Sequence, residues 1–166
     1  MDATPLRDAY RTLLDAAATV AEAGEANTVP PAGEWGADQI LAHVALVTAT
    51  AISAVSAVAA GANTTYDNRI ALDTWTIERV ISLTAGSAEL RDRIRIQGEA
   101  LCALCGSISE VEFDTPAPTR LLSNDAVVVD QVVPLRGILT ALAELELPGH
   151  TQQLLALLAA GAPATT

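Results

Sequence analysis

The sequence predicts an all-α domain: an up-down four-helix bundle with a small β-hairpin or extended-loop insertion before the last helix. Three observations carry this. Four long segments repeat apolar residues at helical spacing. Hydrophobic residues make up 51% of the chain, and many are alanine or valine, which let helices approach closely. One stretch around Asn124-Asp125 changes to a β-branched run. A length of 166 residues fits one domain, residues 1–166. A chain of that size buries a core without disulfide or metal staples.

The first helix is expected over 4–23. Thr4-Pro5 reads as an N-cap followed by proline at the first helical position. Leu6, Tyr10, Leu13, Leu14, Ala17 and Val20 share one face, and Gly24 is a plausible stop. Residues 24–36 form a loop, because Val29-Pro30-Pro31-Ala32-Gly33 cannot stay helical. A long helix over 37–60 follows, with Asp38 at the positive end of its dipole. Residues 61–73 are polar and irregular, and a short helix is expected at 73–83.

The third long helix spans 87–109, with Ser87 as N-cap. Leu90, Ile94, Leu101, Leu104 and Ile108 form its stripe, weakened at Gly98 and Gly106. Thr119–Ser123 and Ala126–Asp130 then read as the arms of a hairpin turning at Asn124-Asp125. Residues 135–146 return to helix. Pro148-Gly149 interrupts or restarts it, 149–160 carries Leu154, Leu155, Leu157 and Leu158, and the tail from Gly161 frays. No repeat or low-complexity tract interrupts this order.

Charge narrows the partners. Nine basic residues, all arginine, face twenty acidic ones, for a net charge of -11. That argues against nucleic acid, which needs clustered positive charge, and against an anionic membrane surface. Val44 to Ala62 carries no charge and is long enough to span a bilayer. It lacks flanking arginines and an aromatic belt, so a buried helix explains it better. The N-terminus has no basic segment followed by an apolar one, as a signal peptide would. A cytoplasmic protein is the expectation, acting on a small-molecule ligand or substrate and able to form a homodimer through an apolar helix face.

The two histidines, His43 and His150, lie in helical segments with apolar neighbours. A buried imidazole needs a partner for both ring nitrogens. If the two helices pack side by side, both rings can face one pocket and hold zinc, nickel or iron. Glu146 is the best third ligand, one helical turn before His150, although Pro148-Gly149 lies between them. The plainer alternative is two separate hydrogen-bonded histidines. Cys102 and Cys105 form a CxxC in mid-helix, away from the helix N-terminus that would activate a thiol, so they read as core residues. Tyr66, Asn68 and Arg69 form a polar cluster that either faces a ligand or supplies turn chemistry. Trp35 reads as a packing residue at a helix entry. Arg120 and Arg136 either clamp an anion or pair with acids. No P-loop, dinucleotide glycine fingerprint or GxSxG is present.

Two segments are similar to a known family. Trp35-Gly-Ala-Asp-Gln-Ile-Leu-Ala-His43 resembles the entry to the second helix of the DinB/YfiT-like superfamily, which includes mycothiol-dependent maleylpyruvate isomerase N-terminal domains. Pro148-Gly-His150-Thr-Gln-Gln153-Leu is similar to the end of its last helix. The resemblance implies a divalent metal on His43 and His150, with Glu146 where the family has a middle histidine. The site is then either a two-histidine, one-carboxylate centre or a degenerate one. The lysine-free, alanine-rich composition is similar to that of high-GC actinobacteria, which implies mycothiol as co-substrate. Family activities are thiol transfer, isomerisation and hydrolysis, so the match does not fix the reaction. The competing expectation is a non-catalytic binding or dimerisation module.

Overall fold

The computed structural model describes residues 2–24, 28, 30, 32–123 and 126–160. The turn expected at Asn124-Asp125, parts of the 24–36 loop and the tail from Gly161 lie outside the described residues.

Helix α1 runs Thr4–Ala23 and buries Leu6, Tyr10, Leu13, Ala17 and Val20, the expected stripe less Leu14. Ala3, not Thr4, is its N-cap. The first turn is tied by Asp2, whose carboxylate accepts from the Thr4 N–H at 2.8 Å. Gly24, at φ +76°, ends the helix in the left-handed region where a Cβ is disfavoured.

Helix α2 runs Ala37–Ala59. The Gln39 side chain reaches back to accept from the Gly36 N–H at 3.0 Å, which orders its start. By length and hydropathy α2 could cross a bilayer, but 61% of its most apolar stretch is buried inside the protein. It is therefore built like a core helix, packed against α5, Ser87–Cys105.

The stretch expected to be irregular at 61–73 is partly ordered. It holds strand β1, Tyr66–Asp67, and helix α3, Arg69–Leu72. Helix α4 follows at Thr74–Ser82, with Asp73 capping it by accepting from the Thr76 N–H at 2.8 Å. Asp73→Ala should cost about 1 kcal/mol, as loss of an N-cap does. Urea denaturation of the two proteins checks this, and equal midpoints would show the cap to be idle.

In α5 the N-cap is Gly86, at φ +105°, rather than Ser87. The helix stops at Cys105, short of the expected 109, and a separate turn of helix α6, Glu110–Phe113, follows under a Ser109–Glu112 capping box. Gly98 lets α1 come close: a Cβ there would lie 2.9 Å from the Tyr10 ring. The Tyr10 hydroxyl donates to Thr48 Oγ1 at 2.8 Å, and Thr48 donates to the Val44 carbonyl. Cys102 and Cys105 are buried and unbridged. Burial pushes the Cys105 thiol up to about 11, as suits a core residue.

The hairpin is longer than expected. Strands β2, Pro116–Ser123, and β3, Ala126–Pro134, pair antiparallel, and β1 pairs parallel to β2 through Tyr66↔Thr119 and Asp67↔Arg120. Leu121 faces Val129 while Leu122 faces Val127, so Val128 is the extra residue of a β-bulge.

From Leu135 the chain stays helical to Ala160: α7, Leu135–Ala141, a π-helical turn, Leu142–Glu146, then α8, Leu147–Ala160. Pro148-Gly149 does not break it. Proline has no N–H for an i→i−4 bond and its ring crowds the carbonyl four residues back. The wide turn just before it, where the Leu147 N–H bonds to the Leu142 carbonyl, is one of the known ways a helix carries such a defect.

The all-α, up-down four-helix bundle is therefore overturned. The protein is mostly helical, but a three-stranded mixed sheet in the order β1-β2-β3 is built into it, with α3, α4 and α6 between the longer helices. The physical reason is non-local. A two-residue strand has too little pattern of its own, and its parallel partner lies more than fifty residues along the chain.

Candidate metal centre

Helix α2 brings in His43, and the π-helical turn and α8 bring in Glu146 and His150. One ligand atom from each lies within 4.8 Å of the others. Glu146 Oε1 is 3.2 Å from His43 Nε2 and 3.3 Å from His150 Nε2. The rings of His43 and His150 are 4.6 Å apart, edge to face. The spacing Glu146–His150 is one α-turn, and it is kept because the wide turn ends at Glu146. The two helices thus do bring together the three residues expected from the sequence.

The second ring nitrogens settle the proton count. His43 is 2% exposed, and its Nδ1 is 2.7 Å from the Ala71 carbonyl at the end of α3. A carbonyl only accepts, so Nδ1 carries the proton. In a neutral ring Nε2 is then a bare lone pair aimed at a carboxylate oxygen. Two acceptors do not bond. Either a proton, on Nε2 or on the carboxyl, or a cation must lie between Nε2 and Glu146. His150 Nδ1 is 2.7 Å from Gln153 Oε1, an arrangement that repeats the pattern when the amide is oriented this way.

The donor set fits a divalent ion. Two ligands bonded at 2.0–2.1 Å to a tetrahedral ion stand roughly 3.3 Å apart, close to the two measured contacts. Imidazole and carboxylate together suit zinc, nickel or iron. The backbone carbonyl on His43 Nδ1 is the usual outer partner of a ligating histidine, fixing its tautomer and direction.

Glu146 is held well below the ordinary carboxylate value of 4.5. The His150 hydrogen bond is the larger cause, then that of His43, against burial, which pushes the other way. A lowered carboxylate pKa stabilises the fold above the unfolded value and loses that contribution as pH falls through the folded one. In metal-free protein whose two imidazoles donate to Glu146 through Nε2, the stability gap between wild type and Glu146→Gln should thus be open above the unfolded carboxyl value. It should begin to close below about pH 4.5, where the unfolded carboxyl protonates. Urea titrations at several pH values read this directly, and a gap that widened on acidification would contradict it.

The cluster opens on a cavity of about 920 Å³. Trp35 stands against His43, ring centres 5.0 Å apart, and lines the cavity. It is thus part of the site wall and not only a helix-entry contact. Tyr66 and Asn68 line it too; Arg69 does not. Arg69 instead pairs with Asp67 at 2.6 Å. Asn68 is structural: its Nδ2 donates to the Leu122 carbonyl and its Oδ1 accepts from the Leu122 N–H, joining the start of α3 to β2. Arg136 pairs with Glu110 and Asp114, and Arg120 faces Asp130 at 4.0 Å, so neither is an anion clamp here. Strands β2 and β3 form a further wall, as a β-hairpin shaping the substrate entrance would, and the bulge brings both Val128 and Val129 to the cavity. The run Val127-Val128-Val129 was the visible signal for a strand, but not for which face it covers.

No protein-family model matches the chain, and neither a curated protein nor a solved structure does.

Proposed function

We propose that this is a divalent-metal protein whose His43–Glu146–His150 centre serves a small-molecule cavity. One observation carries the reading: His43 must keep its proton on Nδ1 for Ala71, leaving the Nε2 lone pair aimed at the Glu146 carboxylate. A cation between them satisfies both at once.

The chemistry proposed is activation of a thiol or water for transfer, isomerisation or hydrolysis, the classes that the DinB/YfiT resemblance suggests, with mycothiol as the candidate thiol. A bound divalent ion supplies a lowered pKa for such a nucleophile at neutral pH. The chain's own part is separate. Ala71 and Gln153 orient the two imidazoles. Trp35 covers one side of His43. The valines and leucines of the sheet exclude water from the cavity wall, which strengthens polar interactions inside.

The test is elemental analysis of untagged, natively purified protein. A near-stoichiometric divalent metal is expected, removed by chelator and restored by zinc, nickel or iron. No metal even after refilling would overturn the proposal.

A further inference from the structure

The lining of the cavity divides by depth. Ile40, Val47, Ile138, Leu142 and Leu157 line it and are no more than 5% exposed, so they make an apolar floor. Glu34, Thr74, Ser123, Gln131 and Gln153 line it too but are exposed, so the polar groups other than the cluster gather toward the mouth. The floor is built beside the candidate ligands. Ile40 comes three residues before His43 and Val47 four after it, which puts all three on one face of α2. Leu157 lies two turns beyond His150 on α8.

The charge at this place follows from the same residues. His43 holds its Nδ1 proton on the Ala71 carbonyl, so through Nε2 it ligates as a neutral imidazole. Gln153 faces Nδ1 of His150 in the same manner. Glu146 is anionic, held far below the ordinary carboxylate value by its two imidazole contacts. A divalent ion on two neutral donors and one carboxylate keeps one positive charge uncompensated. A charge beside a hydrocarbon floor is costly unless it is paired. Among the described lining residues the only other charged group is Glu34, exposed at the mouth, and no arginine is present. One anionic group on a ligand therefore balances the site, and a second would find no cation.

We propose that the cavity takes a monocarboxylate with a compact apolar body, its charged end meeting the ion held by His43, Glu146 and His150 and its body lying on Ile40, Val47, Leu142 and Leu157. This rests on the metal-centre reading and deepens it, by naming the class of molecule that the centre serves. Three protein donors leave a coordination position for such a ligand.

The experiment is calorimetric titration of zinc-loaded protein, its zinc content measured first, with phenylacetate, phenylacetamide, acetate and para-phenylenediacetate. Phenylacetate should bind about tenfold tighter than each of the others, a difference of one modest interaction. The amide lacks the charge, acetate lacks the body, and para-phenylenediacetate carries a second charge onto the floor. Removing the zinc with a chelator should bring phenylacetate down to the level of the amide. Val128 is 60% exposed at the cavity, so it can be changed without disturbing the core. Val128→Asp should weaken phenylacetate severalfold by repulsion, and Val128→Asn should not. Amide binding as tight as that of phenylacetate would overturn the charge requirement. Equal binding of acetate would overturn the role of the floor, and equal binding of para-phenylenediacetate the limit to one charge. Phenylacetate that bound equally well without zinc, or equally to the Asp and Asn variants, would lie elsewhere, and the inference would fall. Zinc-loaded protein that binds none of the four overturns this inference alone, whereas protein that takes up no zinc overturns the metal centre as well.

Discussion

His43→Ala is expected to abolish divalent-metal binding and leave the fold in place. The side chain is one of three donors, and its loss leaves Glu146 and His150 only one turn apart on a single helix, with nothing from α2 opposite them. Changes to groups that merely support a ligand cost about 10–100-fold in metal affinity, so loss of the ligand itself should exceed a hundredfold. Stability should fall by about 1–3 kcal/mol, because the Ala71 carbonyl loses its partner in a buried place. Competition with a chromogenic chelator gives the affinity, and urea melts give the stability. His150→Ala should lose the metal with a smaller stability cost, since its side chain is more exposed, at 13% against 3%. If His43→Ala bound metal like the wild type, the centre would not be where these residues are.

Gly98→Ala should destabilise the protein by about 1–2 kcal/mol, although alanine is the better helix former by about 1 kcal/mol. The added Cβ would meet three atoms of the Tyr10 ring at 2.9, 3.0 and 3.2 Å. That ring cannot swing aside freely. Its hydroxyl is held by Thr48, which is itself held by the Val44 carbonyl. Overpacking of this kind costs about 1–3 kcal/mol and outweighs the propensity gain. Tyr10→Leu should rescue it in part, giving a double variant more stable than the sum of the two single changes predicts. Thermal and urea unfolding of the four proteins measures this coupling. Strict additivity would show that the ring yields without cost.

The candidate ligands were legible because each rests on local pattern. Glu146 and His150 are one turn apart, and His43 sits on a long apolar helix whose facing position can be inferred from its stripe. What surrounds them was not legible. Tyr66–Asp67 becomes a strand only because Thr119 and Arg120 lie alongside it. Trp35 gains its place in the cavity from the angle at which α2 enters. The bulge at Val128 is set by pairing across β2, not by the identity of the valines. Pro148-Gly149 misled in the opposite direction. The rule that proline ends a helix is local, whereas the compensation lies in the preceding turn. Gly98 likewise reads as a weak point in its own helix, and its purpose shows only in the ring of another.

The wide turn at Leu142–Glu146 also bears on how such a site can arise or vanish. A π-helical turn amounts to one residue added to an α-helix. Deleting one residue from it would return α7 and α8 to one α-helical register, a shift of about 100° per residue, and take from Pro148 the wide turn that accommodates it. Leu135–Ala141 would then be turned by that angle relative to Glu146 and His150. Either the packing of α7 or the aim of the two ligands would have to give way. A single-codon deletion here would thus act as a switch for the cavity, with no ligand residue changed, and descendants of this chain can keep all three side chains while losing the centre they form.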